Sequence, residues 1–72
     1  MTKAEFLEQM QNVLQTEDVL TEETILDDLA EWDSVAMTAT MLFMDKHFGV
    51  KVGVKDFMEM NTMADLMAKA RV

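Results

Sequence analysis

Cysteine is absent from this 72-residue chain, which excludes disulfides, thiolate zinc sites and thiol nucleophiles. Proline is absent too, and glycine occurs only twice. The strongest helix breakers are therefore missing, and an all-α chain is favoured. Positive charge is scarce: six Lys and Arg stand against fourteen Asp and Glu, a net charge of −8. Between Ala4 and Asp45 there is no Lys or Arg at all. Residues 1–45 hold eleven acids and Lys3, a net of −10, while residues 46–72 hold five bases against three acids, a net of +2. Such a surface repels phosphates, so nucleic acid and anionic membranes are not expected partners. Its complement is a basic protein surface, towards which long-range attraction speeds encounter. The plainer reading is an acidic face that keeps the protein soluble. No stretch approaches the roughly 20 apolar residues of a membrane span. The N-terminus lacks a basic segment followed by an apolar run, so a cytoplasmic protein is the expectation.

What is present is a globular composition, 50% hydrophobic and 28% charged, with the length of a single domain over residues 1–72. Phe6, Leu7, Met10, Val13 and Leu14 recur at the spacing of one helical face, and Thr2 with Glu5 has the spacing of a capping box. Residues 15–33 mix eight acids with Val19, Leu20, Ile25, Leu26, Leu29 and Trp32. This reads as a long connection that packs onto the core, with a short helical turn around Glu23–Leu29. A second helix is expected over residues 34–48, with Asp33 as N-cap and Gly49 just past its end. From Ser34 to Met44 that helix carries no charge, and its apolar residues cover most of its circumference. In so small a protein some of that surface must face outward. Residues 50–54 are expected as extended loop and Lys55–Met60 as a short helix. Thr62–Arg71 reads as a last helix, with Met63, Leu66, Met67 and Ala70 inward and Thr62 and Asp65 at its start. The expected architecture is a small four-helix bundle, three main helices and one short one.

Catalytic constellations are poorly supplied. The one histidine, His47, lies thirteen residues after Ser34. On a shared helix that is about 20 Å, far beyond the reach of a base for a serine nucleophile. The acids of 27–33 lack the glycine and the alternation of a calcium loop, and no metal site is expected. The remaining candidate is Asp33-Ser34-Val35 at the mouth of the second helix. A serine there is exposed, and a phosphate ester on it is stabilised by the helix dipole and free N–H groups. A simple capping pair explains the same tripeptide.

The stretch Leu26-Asp27-Asp28-Leu29-Ala30-Glu31-Trp32-Asp33-Ser34-Val35-Ala36-Met37 closely resembles the attachment region of acyl carrier proteins. Lys46-His47-Phe48-Gly49-Val50 resembles that family's second-helix ending, and Asn61-Thr62-Met63-Ala64-Asp65-Leu66 its fourth-helix entry. The Trp-Asp-Ser variant is similar to free-standing bacterial carriers outside the housekeeping fatty-acid type. The resemblance implies a carrier, not an enzyme. It implies that Ser34 receives a 4′-phosphopantetheine arm from coenzyme A through a phosphopantetheinyl transferase, with Mg²⁺. Asp33 and Val35 complete the attachment motif. The arm's thiol would hold an acyl cargo as a thioester for fatty-acid, polyketide or related biosynthesis, with aminoacyl or peptidyl cargo as the alternative. Partners would be acyl-loading and acyl-processing enzymes, met as a monomer. Acids that the family carries on its second helix would fall at Ala36 and Ala39, so docking is expected to lean on Val35, Ala36, Met37 and Met41 instead. A reading of another class also stands: a small acidic interaction module that binds a basic amphipathic partner through its Met-rich second helix.

Overall fold

The computed structural model describes residues 1–72. It is all-helical: α1 spans Lys3–Leu14, α2 Ser34–Phe48, α3 Val54–Glu59 and α4 Met63–Ala70, with a single 3-10 turn at Leu26–Asp28 in the long connection. Each boundary has a local cause. The Thr2 hydroxyl accepts the Glu5 N–H at 3.1 Å, and the Glu5 carboxylate accepts the Thr2 N–H at 2.9 Å, closing the box that starts α1. α2 ends where Gly49 turns left-handed at φ 65°, a conformation a side chain resists. At α4 the anchor is Asp65, whose carboxylate accepts the N–H groups of Asn61 at 2.8 Å and Thr62 at 3.1 Å.

Sixteen hydrophobic residues form one core. Phe6 of α1 meets Phe43 and Phe48 of α2, each at 5.8 Å between ring centroids. Met10, Met44, Met60, Met63 and Met67 are all buried, so most methionines serve as interior filling. The long connection is no free loop. Leu20, Leu26 and Leu29 are buried within the core. Its backbone also supplies acceptors to the start of α4: Met63 N–H donates to the Thr24 carbonyl at 2.9 Å and Ala64 N–H to that of Glu22 at 3.0 Å. Leu26 N–H donates to the Asn61 carbonyl at 2.9 Å beside a lone bridge between Ile25 and Thr62. Amides that a helix start leaves without partners are thus met by the connection. Val50 and Val52 lie in a connection without strand partners, with Val52 buried, and Val54, expected in that extended loop, instead opens α3.

Candidate functional site

The site grows from three consecutive residues where the connection enters α2. Trp32 sits edge-on to Phe57 of α3, with centroids 5.4 Å apart and planes at 82°. This contact fixes the chain one residue before the cap. Asp33 is extended, at φ −130° and ψ −173°, and its Oδ1 accepts the Ala36 N–H at 2.9 Å. Ser34 is then the first residue of α2, exposed, with its carbonyl accepting the Thr38 hydroxyl at 2.9 Å. The end of a fifteen-residue helix points positive partial charge at this position. Asp33 satisfies one of the first-turn amides, and the others remain available to an anion on Ser34.

His47 lies at the opposite end of α2, exposed and stacked against Phe43 at 4.8 Å. The structure keeps it from Ser34, as the spacing requires. No helix is long and apolar enough to cross a membrane.

Burial separates the four docking residues expected from the sequence. Ala36 is 6% exposed and packs within the core. Met37 and Met41 are half-buried against that core. The outward stripe is Val35, 76% exposed, with Thr38 and Leu42, 67% exposed. Together with Ser34 and Ala39 these residues form a shallow apolar depression running up the helix from the serine. The reason is angular: residues 35, 38 and 42 follow the i, i+3, i+7 track of one face, while 36, 40, 43 and 44 turn inward.

On the other side of Val35 and Ala39 lies a groove of about 380 Å³ between the end of α1 and the start of α2. Val13, Leu14, Gln15, Glu31 and Ala36 contribute to its walls, with Asp33 at its rim. Glu31 Oε1 is buried there without a hydrogen-bond partner. Sequence reasoning did not single out Glu31, because nothing in the acidic run distinguishes it from its neighbours.

No protein-family model matches the chain, and no curated protein does. Among solved structures it is similar to the holo acyl carrier protein of Geobacter metallireducens, determined in solution by NMR, with a TM-score of 0.75 and 20% identity. The likeness covers 94% of this chain and 79% of that one. The helix order, the long connection and the placement of α3 are therefore those of a known architecture: the chain has the acyl carrier protein fold.

Proposed function

We propose that the protein is an acyl carrier whose tether point is Ser34. The observation that carries this reading is the exposed Ser34 hydroxyl at the first position of α2, held by the Asp33–Ala36 cap within the acyl carrier protein fold. Attachment joins Ser34 Oγ to the phosphorus of the 4′-phosphopantetheine half of coenzyme A. The pyrophosphate bond to the adenosine half breaks, adenosine 3′,5′-bisphosphate leaves, and the serine proton passes to a base of the separate transferase, which works with Mg²⁺. Asp33 holds the helix mouth in shape, and the first-turn amides meet the negative phosphodiester.

The arm supplies a thiol that bears an acyl group as a thioester, while the protein supplies solubility, position and recognition. Tethering raises the cargo's effective concentration at each partner enzyme. Those partners load or process acyl groups in the cytoplasm and meet the carrier as a monomer. They dock on the Val35, Thr38 and Leu42 stripe, with the acids of residues 17–33 steering a basic rim towards it.

The test is direct. Incubation with coenzyme A and a broad-specificity phosphopantetheinyl transferase adds the mass of one arm to the wild type and none to Ser34→Ala. If several transferases leave the wild type bare, the carrier reading fails. The acidic interaction module, resting on the same exposed stripe, then becomes the better account.

A further inference from the structure

We propose that the groove between α1 and α2 is a resting berth for the arm itself, with Glu31 as its polar anchor. This rests on the carrier reading and extends it to the arm's location between enzyme visits.

Four observations converge. The groove begins at Ser34's immediate neighbours, since Asp33 and Val35 both line it. Val35 and Ala39 also line the outer depression that contains Ser34, so a chain leaving Ser34 Oγ need only cross this low ridge to enter. Val13, Leu14 and Ala36 give the groove an apolar wall. Glu31 carries a buried carboxylate oxygen without a donor, and none of the chain's cations lies between residues 4 and 45 to supply one.

A phosphopantetheine arm matches these features in order. Its phosphate belongs at the helix mouth. The branched methyl pair that follows is apolar and suits the Val13, Leu14 and Ala39 wall. Beyond it come a hydroxyl and two amide N–H groups, the donors that Glu31 lacks. Gln15 offers an amide that can answer the arm's carbonyls. Glu31 Oε1 is closed off, but the other oxygen of the same carboxylate accepts no hydrogen bond within the chain and is the one a donor lying in the groove would meet. A hydrogen bond to an ionised, half-buried carboxylate is stronger than one between neutral groups, so a donor that reaches it is held. Occupancy keeps the arm ordered beside α2; departure frees it to deliver cargo.

The experiment uses the loaded full-length protein carrying an isotope-labelled arm. Each sample is weighed first to establish loading. Magnetisation transfer from the arm's methyl pair to Val13 and Leu14 is expected, together with exchange of an arm amide slowed about fivefold relative to free pantetheine. Glu31→Gln, which removes the charge and half of the acceptor capacity at nearly constant shape, should restore most of the free exchange rate. Ala39→Leu, which narrows the entrance with the core left intact, should abolish transfer to Val13 and Leu14. A loaded wild type whose arm shows free exchange and no transfer to α1 overturns the berth while leaving the carrier reading in place. A wild type that takes up no arm overturns both.

Discussion

Trp32 stands edge-on to Phe57 at 5.4 Å, and this contact joins the residue before the Asp33 cap to the short helix α3. The geometry of the serine therefore depends on an element that carries none of the site. Phe57→Leu keeps an apolar side chain in the core but removes the aromatic edge-to-face contact. We expect a loss of about 1–2 kcal/mol in urea unfolding. Trp32 is the chain's only tryptophan, so its emission should shift to the red in the folded variant. Unchanged emission and stability would show that the contact does not hold the site.

The Asp33 cap separates structure from charge. Asp33→Ala strips the acceptor from the Ala36 N–H and should cost about 1 kcal/mol, read as a lower Tm. Asp33→Asn retains a good capping oxygen and should stay within about 0.5 kcal/mol of wild type. If both variants load with an arm at the wild-type rate, Asp33 serves the helix alone; if Asp33→Asn loads slowly at normal Tm, its charge also serves the transferase. Equal Tm for all three proteins would contradict the capping role.

Acid sensitivity should trace to the start of α4. The N–H groups of Asn61 and then Thr62 hold the Asp65 carboxyl below the usual carboxylate range. The folded protein thus binds that proton more weakly than the unfolded chain does. The stabilisation is complete above the unfolded value, near pH 4, and disappears as pH falls through the lower folded value. Glu5 behaves alike, lowered by the Thr2 backbone N–H and then the Thr2 hydroxyl. The stability gap between wild type and Asp65→Asn should be full near pH 6 and shrink as pH falls below the ordinary carboxylate value of about 4. A gap independent of pH would rule out this origin.

Docking should follow exposure rather than composition. Leu42→Glu places a charge in solvent and should leave Tm within about 4 °C, while lowering transferase kcat/KM about tenfold. Met37→Glu lies half in the core and should lower Tm as well. Glu22→Gln, distant in sequence from α2 and loosely paired with Lys3 at 3.4 Å, should change kcat/KM less than Leu42→Glu. Equal effects of Leu42→Glu and Glu22→Gln would remove the apolar stripe as the docking face.

Much of this was legible in the chain. Thr2 with Glu5, Asp33 before Ser34, and Gly49 after Phe48 are short-range chemistry: each satisfies or releases backbone groups within a few residues, so spacing alone exposes them. The inward methionines of α1 and α4 also followed from period. α2 was harder, because an apolar residue on nearly every side carries no phase. Ala36, Met37 and Met41 looked as available as Val35 until burial separated them.

The sequence by itself determined the helices, their caps and the candidate serine, because each arises from periodicity or from hydrogen bonds spanning three or four residues. Tertiary structure alone decided which face of α2 meets solvent, how the acidic connection is fastened to α4 through Thr24 and Glu22, and that Glu31, among eight acids of residues 15–33, has an oxygen shut away beside a groove. Those outcomes depend on where distant elements come to rest, and a charge or a methyl group carries no record of its future neighbours until the core closes around it.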